Sequence, residues 1–184
     1  MKNGIIILSG LSCSGKTTLA QWLLDNDKNF TRVITYTTRD IRENEVNGVH
    51  YHFISRVKFL GKVENREFLE FSEVYNNLYG TALNSFDKIN EGKLVLEVID
   101  VQGAMKLKAN SVQGCYIFLK ASKKDLKTRM KKRGDSEEDI ELRLKISNEE
   151  LNYETQFDFI YNTSGNEKKI EKDAKALLKF IKNY

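Results

Sequence analysis

One segment restricts the fold of this chain more than any other. The apolar run Ile5–Ser9 leads directly into Gly10-Leu11-Ser12-Cys13-Ser14-Gly15-Lys16-Thr17. This matches G-x-x-x-x-G-K-[ST] in full, the spacing of a phosphate-binding loop between a strand and a helix. Glycines let the backbone turn tightly and aim its N–H groups at phosphate oxygens, while the next helix adds its positive end. Residues 10–18, through Thr18, are therefore expected to hold the phosphates of a nucleoside triphosphate. Lys16 neutralises the β- and γ-phosphates, and the Thr17 hydroxyl ligates Mg²⁺. Cys13 has no His or Asp partner nearby in sequence and reads as a small filler rather than a nucleophile.

A loop of this kind needs a buried parallel strand in front of it, and the rest of the chain supplies more of them. Val33–Tyr36, Leu94–Ile99, Tyr116–Leu119 and Phe157–Tyr161 are short apolar or aromatic runs separated by helical patterns. Strands alternating with helices predict an α/β fold, a parallel sheet with helices on both faces. Thr17 to about Leu24 is helical, with Leu19, Trp22 and Leu23 inward. The final helix places Ile170, Ala174, Leu177, Leu178 and Ile181 on one face. Two segments break the rhythm. Thr37–Tyr79 reads as an inserted subdomain of short antiparallel strands, and Lys123–Asn148 as two charged helices joined at Gly134-Asp135.

Bulk properties narrow the function classes. The 184 residues suit one domain, and 40% hydrophobic with 30% charged residues indicates a globular chain. No apolar run approaches the roughly 18 residues of a membrane span, and the first one is too short for a signal peptide. Cys13 and Cys115 have no paired spacing, which fits a reducing cytoplasm and no cysteine metal site. Net charge is +4, with basic residues concentrated between Lys120 and Arg133. No aromatic residue lies in that stretch to stack bases, so a phosphate-handling lid or a solvated helix face explains it better than nucleic acid.

A phosphate-binding loop alone leaves GTPases, motor ATPases and many kinases open. The stretch Thr35-Tyr36-Thr37-Thr38-Arg39-Asp40-Ile41-Arg42-Glu43-Asn44-Glu45-Val46-Asn47-Gly48-Val49-His50-Tyr51 resembles the guanylate kinase pattern [ST]-x-T-T-R-x-x-R-x-x-E-x-x-G-x-x-Y. Phe68-Leu69-Glu70, Asn77-Leu78-Tyr79-Gly80-Thr81 and Ile99-Asp100-Val101-Gln102-Gly103 resemble further segments of that family. Arg129, Lys132-Arg133-Gly134 and Arg143-Leu144 resemble its lid helices, so the likeness spans essentially the whole chain.

The resemblance implies a P-loop kinase that moves the γ-phosphoryl group of ATP to GMP or dGMP. It divides the chain into a core (1–34, 82–122 and 149–184), a GMP-binding subdomain (about 35–81) and a lid (about 123–148). Arg39 and Arg42, with the hydroxyls of Tyr51 and Tyr79, clamp the GMP phosphate, a task that suits fork-shaped guanidinium groups. Glu70 accepts from guanine N1–H and the exocyclic amine, and Thr35 and Thr81 reach the O6 edge. Lys16, Arg39, Arg129, Arg133 and Arg143 bracket the transferring group, and Asp100 orients the metal's water or the acceptor side.

Three departures stand out. Leu11 and Cys13 replace the proline and middle glycine usual in the family's loop, with little loss expected. Its paired acids, normally i and i+2, are here Glu97 and Asp100, three apart. Either a bulge realigns Glu97 into the GMP site, or Val98 takes the first acidic position. Of the usual N-D-D segment only Asn162 remains, expected near adenine. Two other readings stay open: a catalytically silent interaction module, and a P-loop kinase of another phosphorylated metabolite.

Overall fold

The computed structural model describes residues 4–43, 45–165 and 167–183, without the side chains of 167–170 and 183. The chain ends of the predicted core and the side chain of Ile170 thus lie outside the described residues.

Strands β1 (Ile5–Gly10), β2 (Phe30–Arg32), β7 (Leu94–Val98), β8 (Cys115–Lys120) and β9 (Phe159–Asn162) form one sheet in the order β2-β7-β1-β8-β9. Every pairing in it is parallel. Such strands are covered on both faces, which is why β1 reads as an unbroken apolar run and is buried throughout. Its alternate residues serve two cores. Ile6 and Leu8 pack with Leu19 and Leu23 of α1 (Lys16–Asn26) and with Ala174, Leu177 and Ile181 of α6 (Glu167–Asn183). Ile5 and Ile7 pack on the opposite face with Ala104 and Leu107 of α3 (Val101–Ala109), Leu126 and Met130 of α4 (Lys123–Arg133), and Ile140 and Leu144 of α5 (Glu137–Glu150). Trp22, expected inward, is only partly buried against the first of these cores.

A second sheet stands beside the first, with β3 (Tyr36–Thr37), β4 (His52–Phe53), β5 (Phe68–Val74) and β6 (Asn77–Ala82) in the order β4-β3-β6-β5. The expected strand Val33–Tyr36 is in fact divided between the two sheets. Val33 N–H still bonds Leu96 O beside β7, whereas Tyr36 pairs with His52 and Gly80. The expectation of antiparallel strands holds for β3–β6 and β5–β6 but not for β3–β4, which is parallel. Two-residue strands are too short to show their pairing sense in sequence.

Between β5 and β6 lies a tight hairpin, with Tyr75 (φ 51°) and Asn76 (φ 60°) both left-handed, as a primed turn requires. Its ladder shifts register between Phe68 and Glu70, a bulge that re-aims the Glu70 side chain toward Thr81. Helix α2 (Arg56–Glu64) anchors this sheet through buried Phe59, whose ring stacks on Phe68 at 4.6 Å. The two helices predicted within Lys123–Asn148 are α4 and α5, separated at Gly134 and Asp135.

Candidate active site

A cavity of about 1500 Å³ runs along the carboxyl ends of the parallel strands and under the second sheet. That exceeds the roughly 300–1,000 Å³ of a single small-ligand pocket and leaves room for two ligands end to end.

At one end lies the phosphate-binding loop. Gly10 has φ 120°, and a Cβ there would meet Leu119 O at 2.1 Å, so only glycine lets the loop leave β1 against β8. Gly15 (φ 93°) caps α1 from the left-handed region, and Cys13 adopts φ 58° where a glycine would be unstrained. Leu11 turns into the core, at 2% exposure, and its N–H bonds Leu119 O. Lys16 Nζ donates to Gly10 O (2.6 Å) and Leu11 O (2.9 Å), holding the ammonium on the loop's own carbonyls. Burial lowers its pKa, opposed by the charges of Glu150 and Asp100. Thr17 and Thr18 are exposed and line the cavity.

The lid arginines Arg129, Arg133 and Arg143 all line this end. Arg129 ties α4 to the loop and to the segment after β9, donating to Cys13 O (3.2 Å), Thr163 Oγ1 (3.1 Å) and Thr163 O (2.7 Å). Arg133 pairs with Asp135 through two bonds. The Arg143 guanidinium lies 4.1 Å from the centre of the Tyr75 ring, 3.4 Å from Ser12 Oγ and 3.6 Å from the Asp135 carboxylate. The tip of the β5–β6 hairpin therefore reaches the lid and the loop.

At the other end, Thr35, Arg39, Arg42, Tyr51, Glu70, Tyr79, Thr81 and Asp100 line the cavity together, although they come from five separate stretches of chain. Arg39 Nη2 forks onto Glu45 at 2.8 and 2.9 Å, and its guanidinium sits 5.6 Å from the Tyr51 ring centre. Burial would raise the Glu45 pKa, but the Arg42 N–H and Arg39 bonds more than offset it and hold the carboxyl low. Glu70, 5% exposed, accepts from Thr81 N–H (3.1 Å) and Thr81 Oγ1 (2.8 Å) through Oε1. Its Oε2 has no partner among the described residues, and burial pushes the acid up to about 7. Asp100 caps α3, accepting from Gly103 N–H (2.9 Å) and from Ser72 Oγ (2.7 Å).

Of the two alternatives for this strand, the geometry matches the one with Val98 in the first acidic position, and Glu97, expected among the GMP-site residues, is not on the cavity wall. The β1–β7 register runs evenly through Leu8↔Val98, so no bulge realigns Glu97. Strand alternation sends Glu97 to the same face as Val95, beneath the second sheet, where it is fully buried and bonded to Thr81 rather than lining the cavity. Val98 does line the cavity. Asn162 is exposed at the end of β9, its amide oxygen occupied by Ser164 N–H at 2.9 Å, and it is not on the cavity wall; its neighbour Thr163 is.

Sequence reasoning missed Tyr75, Asp135 and Glu150. Glu150, at the end of α5, lines the cavity and faces Lys16; burial pushes its carboxyl up to about 7 against the pull of that ammonium. Its partner lies on the far side of the sequence, so no local pattern marks it.

Comparison with known proteins decides the family. The model of the guanylate kinase family matches residues 2–184. This chain belongs to the guanylate kinase family. It is 37% identical over 177 residues to the guanylate kinase of Clostridium perfringens strain 13, covering 95% of this chain and 82% of that one. The guanylate kinase of Prochlorococcus marinus subsp. pastoris is 36% identical over 188 residues, with both chains covered completely. Among solved structures, the guanylate kinase from Anaplasma phagocytophilum superposes with a TM-score of 0.75 at 29% identity, over 97% of this chain and 84% of that one. A shikimate kinase from Bacteroides thetaiotaomicron, at TM-score 0.54 and 14% identity, shares the fold alone. Membership makes the chain a phosphotransferase of the nucleoside monophosphate kinase class, with an α/β P-loop kinase fold.

Proposed function

We propose that this guanylate kinase family member transfers the γ-phosphoryl group of ATP to GMP or dGMP, releasing ADP and GDP or dGDP. The observation that carries the reading is Glu70, a buried carboxylate with one unpartnered oxygen in the same cavity as an intact phosphate-binding loop. Guanine presents two adjacent donors that a carboxylate satisfies. Adenine would leave that carboxylate unpaired, a mismatch that discriminates strongly.

In this reading residues 35–81 form the GMP-binding unit, 123–148 the lid, and the remainder the core. Arg39 and Arg42 receive the GMP phosphate with Tyr51 and Tyr79, and Thr35 and Thr81 flank the base. Lys16, Arg129, Arg133 and Arg143 surround the phosphates of ATP. An oxygen of the GMP phosphate bonds to the γ-phosphorus as its bond to the bridging oxygen of ADP breaks. The acceptor is already ionised, so positioning and charge neutralisation suffice and no general base is needed.

The Thr17 hydroxyl fits a divalent ion, Mg²⁺. It lines the cavity, while no group of 3 or more His, Cys, Asp or Glu among the described residues would hold a metal by itself. Such an ion takes its other ligands from phosphate and water, and when bound it neutralises charge on the β- and γ-phosphates. The unpaired cysteines fit a reducing cytoplasm, and no helix among the described residues is long and apolar enough to cross a membrane.

ATP labelled at the γ-phosphorus tests the reading. Label appearing in the β-position of GDP supports it. Label released only as inorganic phosphate, with GMP present, overturns it and leaves an ATPase, and label that stays in ATP overturns it and leaves a silent module.

A further inference from the structure

Beneath the cavity floor, one hydroxyl stands between two carboxylates. Thr81 Oγ1 is 2.8 Å from Glu70 Oε1 and is also hydrogen-bonded to Glu97 Oε1. All three residues are buried, Glu97 and Thr81 completely. A threonine hydroxyl has one proton to donate, so it cannot satisfy two ionised acceptors at once. One of the two acids must carry a proton and donate it to Thr81.

The surroundings decide which. Glu70 also accepts the Thr81 backbone N–H at 3.1 Å, and the Lys106 charge acts on it; both favour its ionised form. Glu97 has neither aid. The titratable groups that act on it are Glu70 from β5, Asp100 at the start of α3 and Tyr116 from β8. On this face β1 offers no charged group, only apolar Ile5 and Ile7 and the buried hydroxyl of Ser9, and no cation is paired with Glu97 among the described residues. Burial first, then the neighbouring carboxylates, push the Glu97 acid up to about 8. Its Oε2 has no partner among the described residues, which is costly for an anion and tolerable for the carbonyl oxygen of a neutral acid.

We propose that Glu97 is a positioning residue for base choice: a neutral carboxylic acid that donates to Thr81, turning the single Thr81 hydroxyl proton toward Glu70. Glu70 is thereby held ionised, with Oε1 fixed by Thr81 and Oε2 without a partner among the described residues. The inference rests on the reading of Glu70 as the guanine acceptor. It separates the two glutamates that the family resemblance puts side by side: Glu70 touches the base, and Glu97 acts through Thr81. Were Glu97 to lose its proton to solvent, the single Thr81 hydroxyl proton would be contested between two anions, and Glu70 Oε1 would lose the donor that fixes it.

The test compares Glu97→Gln, Glu97→Ala and Glu70→Gln. A neutral amide donates to Thr81 as the neutral acid does, so Glu97→Gln should keep kcat/KM for GMP within about fivefold of wild type at neutral pH. Glu97→Ala should lose at least about tenfold, because Thr81 is no longer directed. Wild-type kcat/KM for GMP should decline on the alkaline side as Glu97 ionises, and Glu97→Gln should abolish that decline, which a merely structural role would not do. In the nucleotide-free protein, the infrared difference between wild type and Glu97→Gln should contain the C=O stretch of a protonated carboxyl at neutral pH. A Glu97→Gln variant as impaired as Glu70→Gln, or the absence of that band, overturns the inference. A chain that shows the band yet phosphorylates no GMP refutes the guanine reading instead.

Discussion

Glu70→Gln separates activity from stability in a way that only this arrangement predicts. Thr81 offers N–H and O–H donors to one carboxylate oxygen, so the variant's amide oxygen stays on Thr81 and its NH₂ takes the place of Oε2. A guanine donor then meets a donor. Losing a charge-assisted hydrogen bond and facing a misplaced N–H costs roughly 2–4 kcal/mol, or about 30- to 1000-fold in kcat/KM for GMP. Folding should respond in the opposite direction. Burial raises the Glu70 pKa from 4.5 to about 7, so between those values the folded form holds a proton that the unfolded chain releases. The contribution of Glu70 to wild-type stability therefore falls by roughly 3 kcal/mol as pH rises through that window and is level above it. Glu97 and Glu150 add falls of their own in the same direction. Glutamine removes the Glu70 share of the slope, and weaker bonds to Thr81 give back about 1–2 kcal/mol of the gain. At about pH 8 the variant should melt no lower than wild type and up to a few degrees higher. Coupled ADP-release kinetics and thermal melts at about pH 5 and pH 8 read both quantities. A variant that is less stable at the higher pH but unchanged toward GMP would refute the reasoning and make Glu70 a structural acid.

Other perturbations test other parts of the site. Lys16→Ala should lower kcat by about 10²-fold or more while still folding, since the ammonium donates to loop carbonyls and the Glu150 carboxyl it faces can take up a proton; near-normal turnover contradicts its role. Arg42→Ala should weaken GMP by roughly 2–4 kcal/mol and leave ATP nearly unchanged in calorimetric titration, whereas equal losses would remove Arg42 from the acceptor side. Cys13→Gly relieves a left-handed φ of 58° but adds glycine's entropy cost. The two terms should leave stability unchanged or raised by up to about 1 kcal/mol in urea titration, and a clear destabilisation would mean that the thiol packs usefully.

Much of this was legible in sequence because it is encoded locally. The loop motif specifies a backbone path, and Gly10 shows why: its Cβ position is filled by Leu119 O. Buried parallel strands announce themselves as apolar runs, and the predicted strands of the main sheet correspond to β1, β7, β8 and β9 within a few residues. The second sheet was harder. Strands as short as β3 and β4 carry no period, and the bulge before Glu70 arises from pairing with β6. The fate of Glu97 hinged on the register against β1, which a three-residue spacing to Asp100 cannot reveal. Tyr75 and Glu150 were invisible because Arg143 and Lys16, which they face, are supplied by tertiary folding; Asp135 has its partner Arg133 only two residues away, and its position between two helices read simply as a joint.

The central claim is that this cavity selects guanine through a buried carboxylate and phosphorylates its monophosphate. The most direct measurement is wild-type kcat/KM for GMP against AMP, with ATP and Mg²⁺ as the donor system. A site whose buried acceptor is left unpaired by the wrong base should favour GMP by about 10⁴-fold or more. A ratio near one, or a preference for AMP, would contradict the account.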